Sequence, residues 1–176
     1  MNTAEKIVSV YLRLNGFFIL NQFTHLPESG HSHESDLIAI RCPNSEEIVN
    51  GKILQIDENF FTRCGLNKDE IIGLIVEIKA PKVKPKFKQK KKEYAKKFFG
   101  DFQDKVYPCG VSGSYDGPRK TDEIIEIGLG YVAQKVKGII KERNGICKKF
   151  NSWYLNEGLL SDLIYLENIG YNEKEV

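Results

Sequence analysis

The stretch IIGLIVEIKA, residues 71–80, is the strongest strand signal in this chain. Its nearly continuous apolar character is typical of a strand that is buried on both faces, as at the centre of a sheet. Pro81 and Pro85 follow and end it, because proline lacks the amide hydrogen that a strand ladder needs. Glu77 and Lys79 stand at the exit of the apolar run. Since side chains alternate along a strand, these two point to the same face.

The segments that flank this strand predict a small α/β domain. Residues 3–15 carry an apolar stripe at helical spacing, with Thr3 as the expected cap and Gly16 at the end. The other expected elements are strands over 17–24, 35–41 and 105–115 and helices over 86–99, 123–143 and 157–168.

The remaining segments are less regular. GKILQIDENFF (51–61) fits a strand or hairpin arm, and GPRKTD (117–122) fits a loop. The order helix, strand, strand, strand, helix, strand, helix predicts a mixed central sheet flanked by helices. We expect one domain over 1–176, with an insertion at 43–70.

Composition narrows the class of protein. The chain has 176 residues, 41% hydrophobic and 28% charged, which is ordinary for a globular domain. No apolar run approaches the roughly 20 residues that span a bilayer, and MNTAEKIVSV lacks the pattern of a secretion signal. The four cysteines form no CxxC pair, which argues against a disulfide framework or a tetrathiolate zinc site; they are Cys42, Cys64, Cys109 and Cys147. Free thiols suit a cytoplasmic protein, which is the expectation here.

Positive charge is concentrated in one segment. Residues 82–97, KVKPKFKQKKKEYAKK, hold nine lysines and one glutamate, a local charge of +8. Removing that from the whole-chain charge of +2 leaves the rest of the protein at −6. A mildly acidic body with one basic segment suits binding to a polyanion, although a solvated lysine-rich helix face has the same composition.

Asp36 is a third candidate site residue, in addition to Glu77 and Lys79. Asp36 opens the strand SDLIAIR and would lie near Glu77 if the two strands are neighbours in the sheet. Two carboxylates and a backbone carbonyl form a hard oxygen site of the kind that Mg²⁺ prefers. A lysine beside such a metal can act on the attacking water and offset charge on a phosphate.

Asp36 followed by Glu77-x-Lys79 resembles the D…(D/E)xK signature of the PD-(D/E)xK nuclease superfamily. The phrases LNGFFIL, ESDLIAIR and LIVEIKA are similar to the restriction-endonuclease-like and Holliday-junction-resolvase-like core, which has the αβββαβ order inferred above. Glu5 corresponds to the glutamate that this group carries on its first helix. Asp36 and Glu77 are 41 positions apart, which exceeds the usual hairpin, hence the insertion at 43–70.

The resemblance implies a metal-dependent nuclease that hydrolyses phosphodiester bonds, with DNA as the expected substrate. Asp36 and Glu77 would hold Mg²⁺ or Mn²⁺, Lys79 would assist the attacking water, and Glu5 would support the metal or its waters. The lysines that would bind phosphate are Lys84, Lys86, Lys88, Lys90 and Lys91. The resemblance does not distinguish DNA from RNA as the substrate, endonuclease from exonuclease action, or a monomer from a homodimer. The alternative is a catalytically inactive domain of the same fold that binds nucleic acid or protein.

Three further motifs are weaker. His25, His31 and His33 fall in a polar stretch that fits a surface loop better than a metal site. Gly128, Gly130 and Ala133 match the dinucleotide pattern G-x-G-x-x-A, but no acidic residue follows at the required distance. Ser112-Gly113-Ser114 lacks a nucleophile elbow and fits a turn or strand end.

Overall fold

The computed structural model describes residues 2–25, 33–46, 48–49, 52–53, 55–79, 83–87, 93 and 96–142. The helices are α1 (Thr3–Leu14), α2 (Glu58–Cys64) and α3 (Leu129–Glu142), with a 3-10 helix over Gly100–Lys105. The strands are β1 (Phe17–His25), β2 (His33–Arg41), β3 (Ile48–Val49), β4 (Lys52–Ile53), β5 (Ile72–Lys79), β6 (Val106–Ser112), β7 (Arg119–Thr121) and β8 (Ile124–Gly128).

Within these ranges, six strands form one mixed sheet in the order β1-β2-β5-β6-β8-β7. The β1, β2 and β5 strands pair antiparallel, β5, β6 and β8 pair parallel, and β7 pairs antiparallel with β8. The short strands β3 and β4 pair separately. This mixed sheet flanked by helices confirms the predicted α/β class. No helix in the described ranges has the length and apolar character to cross a bilayer.

The β5 strand is central, as its sequence predicted. Every residue from Ile72 to Ile78 is buried, and only Lys79 is exposed. The even-numbered residues of β5 share a cluster with α1 and α3, for example with Ile7 and Val132. We call this side of the sheet the helix face. On the other side Ile75 packs with Phe99 and Val106, under the connection from β5 to β6, and we call that side the crossover face.

The α1 helix is confirmed, but its cap is not the predicted one. Asn2, not Thr3, is the N-cap: its side chain accepts the amide hydrogen of Glu5, and the Glu5 carboxylate accepts from the Asn2 backbone. This reciprocal capping box satisfies two amides that would otherwise lack partners. At the other end Gly16 has φ 82°, as a glycine after a helix allows. A Cβ there would lie 2.6 Å from the Ser45 carbonyl oxygen.

Two predictions of secondary structure in the second half are wrong. The GPRKTD segment contains β7, and residues 124–128 form β8 rather than the start of a helix. The burial of Ile125 and Ile127 alternates with partly exposed Ile124 and Glu126, which is a strand period. Asp122, with φ 53°, makes the tight turn between the two strands.

The segment 43–70 contains a short hairpin and a helix. Residues 52–53 belong to a short hairpin, as predicted, but ENFF lies in α2 rather than in a strand. Phe60 and Phe61 are buried there and Gly65 ends the helix with φ 60°. Residues 93 and 96–98 are helical within the predicted 86–99. Residues 86–87 and residue 99 are not helical, so the predicted helix is wrong at both ends. Residues 88–92 and 94–95 and the predicted helix 157–168 lie outside the described residues.

Arg41, at the end of β2, ties this segment to the sheet. Its side chain is buried, and its guanidinium donates to the carbonyl oxygens of Asn15 (3.1 Å), Lys68 (2.7 Å) and Ser45 (2.9 Å). Phe61 packs against the cation with 5.1 Å between the guanidinium carbon and the ring centroid. Burial lowers the pKa of Arg41 from its usual value. One buried cation thus joins the end of α1 to both ends of 43–70.

Replacing Arg41 with methionine, which keeps an unbranched apolar stem but has no donor, should lower the free energy of unfolding by about 3 kcal/mol, since three short hydrogen bonds are worth about 1 kcal/mol each. Urea unfolding measures this change. The control is Arg13→Met on the exposed side of α1. Equal stability of the two variants would contradict the role given to Arg41.

Candidate functional site

The structure brings Asp36 next to the Glu77-x-Lys79 strand end. The antiparallel ladder between β2 and β5 includes the pair Leu37 and Val76, and Asp36 and Glu77 are the next residues along the two strands. The Asp36 carboxylate accepts a hydrogen bond of 2.6 Å from the Ile78 backbone amide. A side-chain oxygen therefore takes the place of a main-chain acceptor where the main-chain ladder ends.

The three residues lie on the crossover face. Glu77 and Lys79 alternate with Ile78, which packs on the helix face, and residues opposite each other in an antiparallel pair share a face. Glu77 is 7% exposed, Asp36 is partly buried and Lys79 is exposed. Burying a carboxylate is costly unless it has partners or a ligand. A buried acid, a second acid and a solvent-facing lysine therefore lie together on the crossover face, where β2 begins and β5 ends.

Glu126 lies in the same cross-strand row, and sequence reasoning missed it. Glu77 is opposite Gly110, and Gly110 is opposite Glu126. The Glu126 carboxylate pairs with Arg119 at 2.7 Å. Burial, followed by the charge of Glu126, raises the pKa of Tyr115 to about 12. The clue in the sequence is the alternation of IIEIG, although the adjacent Ile124 and Ile125 also fit a helical period.

The start of the lysine-rich segment lies over the same face. The Ser112 hydroxyl donates to the Val83 carbonyl oxygen at 2.8 Å, and the Pro85 ring covers Gly110. Lys84 and Lys86 are exposed on either side of Pro85. The three other predicted phosphate-binding residues, Lys88, Lys90 and Lys91, lie outside the described residues.

Glu5 has a structural role of its own. Both of its carboxylate oxygens contact Asn2 in the capping box. The α1 helix packs on the helix face, whereas Glu77 and Lys79 lie on the crossover face. The contacts with Asn2 explain why a glutamate suits this position, and its predicted part in metal binding stays a prediction.

The histidine stretch differs from the predicted loop. His25 and His33 are opposite each other in the β1–β2 ladder, so both belong to strands. His31 lies outside the described residues. Within the part of the chain that the structure covers, no group of three or more His, Cys, Asp or Glu side chains is close enough to hold a metal ion. Cys42 is exposed, and Cys64 and Cys109 are buried thiols.

The two remaining motifs have packing explanations. Ser112-Gly113-Ser114 is a strand end followed by a turn, as predicted. Gly128 ends β8, and a Cβ there would overlap the Tyr115 and Asp116 carbonyl oxygens at 2.4 and 1.8 Å. Close approach of two backbone segments therefore requires glycine at this position, whether or not a nucleotide binds.

A second polar cluster, on the helix face, was not predicted. The Asp57 carboxylate accepts hydrogen bonds from the hydroxyls of Tyr11 (2.9 Å) and Tyr131 (2.7 Å), and Lys135 lies 3.1 Å from its other oxygen. Burial raises the pKa of both tyrosines, and the Asp57 charge adds to the effect. The cluster lies at a cavity of about 400 Å³ bordered by α1, α2 and α3. It joins three helices through one carboxylate.

No family model and no curated protein matches this chain. A crystal structure of a protein of unknown function, AF1548, is similar at 11% identity with a TM-score of 0.34, covering 77% of this chain and 67% of that one. A similarity this low carries no argument about function.

Asp57→Ala should lower the free energy of unfolding by about 3 kcal/mol. Tyr11, Tyr131 and Lys135 would each lose an interaction with the carboxylate that contributes about 1 kcal/mol. Glu58→Ala, the matched control, removes an exposed ion pair with Lys68 and should cost less than about 1 kcal/mol. Thermal or urea unfolding of both variants gives the comparison. A similar small loss in both would show that the Asp57 network adds little.

Proposed function

We propose that this protein is a metal-dependent nuclease that hydrolyses phosphodiester bonds, with DNA as the first substrate to test. The observation that carries the proposal is the hydrogen bond from the Ile78 amide to Asp36. It holds one carboxylate beside a strand that contributes a second carboxylate at Glu77 and an exposed ammonium at Lys79. A cytoplasmic location belongs to the same proposal.

The donor set fits a hard divalent cation. Mg²⁺ is usually held by one or two carboxylates and keeps several waters, so Asp36 and Glu77 would suffice as protein ligands. One oxygen of Asp36 is engaged with Ile78, and its carboxylate has a second oxygen for a cation. When bound, the metal lowers the pKa of a water and offsets charge on the phosphate.

Residues of the protein itself would position the carboxylates, the attacking water and the substrate. The Ile78 amide fixes the orientation of Asp36, and the burial of Glu77 restricts its side chain. Lys79 is exposed at the end of β5, where its ammonium can orient the attacking water and contact a non-bridging phosphate oxygen. Lys84 and Lys86 supply a sequence-independent attraction to the backbone of the substrate.

If Asp36 and Glu77 hold the cation, Asp36→Asn and Glu77→Gln should each weaken Mn²⁺ binding at least tenfold, roughly the loss seen even for outer-sphere partners of a metal. Isothermal titration calorimetry with the metal alone measures this. Glu58→Gln, an exposed acid in α2, is the control. Unchanged Mn²⁺ affinity in Glu77→Gln would argue against this metal site.

Lys79→Ala should lower the single-turnover rate of cleavage by about 100-fold or more, the usual contribution of a positioned acid–base group. Supercoiled plasmid, linear duplex and branched DNA serve as substrates, with Mg²⁺ or Mn²⁺. Lys68→Ala, which removes an exposed lysine of an ion pair, should cleave as the wild type does. Binding of DNA without cleavage by the wild type in either metal would favour the inactive binding domain instead.

A further inference from the structure

We infer that Ser112 is a positioning residue, which fixes Lys84 and Lys86 beside Glu77 and Lys79 and so sets the affinity for a nucleic-acid backbone. This inference rests on the proposed nuclease function and deepens it. It concerns how the basic segment is held, which the resemblance does not address.

The first anchor of the segment is the Ser112 hydroxyl. The side chain is completely buried at the end of β6, and its register partner on β5 is Lys79. The hydroxyl donates to the Val83 carbonyl oxygen at 2.8 Å and accepts from the Ser114 amide at 3.1 Å. These contacts fix the hydroxyl and tie the backbone after β5 to the strand next to Lys79.

The second anchor is the contact between Pro85 and Gly110. A Cβ at Gly110 would lie 3.2 Å from the Pro85 ring, so the ring rests directly on this glycine. Gly110 is the register partner of Glu77. The two anchors are two residues apart both on the segment and on β6, so the segment follows β6 in the opposite direction across the crossover face.

The anchors determine where the lysines are. Lys84 lies between them and Lys86 directly follows the second, and both are exposed. Both anchors are on β6, at the register partners of Glu77 and Lys79, and neighbouring strands are about 4.8 Å apart. The two lysines are therefore held over the strand next to these two residues. A run of like charges repels itself and favours an extended, mobile chain. The buried hydroxyl opposes that tendency at the point nearest the site.

The test is a double-mutant cycle on binding of labelled duplex and single-stranded DNA in EDTA, which needs no cleavage. Lys84→Ala/Lys86→Ala should lower the slope of log K against log salt by about 2, one for each lost phosphate contact. Ser112→Ala should weaken binding between about two- and tenfold, the value of one hydrogen bond, with a smaller loss of slope. In the background without the two lysines, Ser112→Ala should have no further effect.

Two further variants and one kinetic measurement test the role of Ser112 independently. Ser114→Ala removes a neighbouring hydroxyl, leaves the Ser112 bond to Val83 in place and should bind as the wild type does. Gly110→Ala pushes Pro85 away and should weaken binding without touching Ser112. If the enzyme is active, Ser112→Ala should raise KM and change kcat little. Circular dichroism and the unfolding midpoint establish that each variant is folded.

The outcomes separate this inference from the proposed function. Equal loss of affinity from Ser112→Ala with and without the lysines, or no loss at all, overturns the positioning role. DNA binding with the expected coupling but no cleavage by the wild type overturns the nuclease and keeps the role of Ser112 in binding. A wild-type protein that binds neither form of DNA overturns both.

Discussion

The buried guanidinium of Arg41 is the constraint on which the arrangement of the sheet depends. It needs several acceptors because a desolvated cation is costly, and it finds them in three carbonyl oxygens that come from segments far apart in sequence. Those bonds fix one end of β2. A shift of β2 by one residue would turn every side chain to the other face of the sheet. The position of Asp36, at the other end of the same strand, therefore depends on a residue that takes no part in its chemistry.

The two faces of the sheet differ in the size of their apolar cluster and in the polar residues that they carry. The helix face holds the larger apolar cluster and the Asp57 network, in which donors from α1 and α3 share one carboxylate. The crossover face has a smaller apolar cluster, and beyond it lie Glu77, Lys79 and the anchored start of the basic segment. The candidate site therefore lies on the face with the smaller apolar cluster, and its three predicted residues belong to neither apolar cluster.

Much of the fold was predictable because its longest elements carry regular patterns. The apolar stripe of α1 and the run in β5 are local signals, and the proximity of Asp36 to Glu77 followed from placing two strands side by side. Contacts between distant residues were not predictable: Asp57 and Tyr131 are 74 positions apart, and no sequence pattern links them. The β8 strand is only five residues long, and adjacent Ile124 and Ile125 fit a helical period as well as a strand period. The proposed role of Ser112 depends on the register of β6 against β5, which no single sequence pattern encodes.

The bond between Asp36 and the Ile78 amide has a consequence for observation of the site. Most amides in the centre of a sheet are protected from exchange with deuterated solvent by a main-chain carbonyl, but this one depends on a side chain that is only partly buried. Any event that draws the carboxylate away from β5 exposes that hydrogen and leaves the neighbouring ladder intact. The exchange rate of a single backbone proton would then report whether Asp36 is engaged with the strand or with something else.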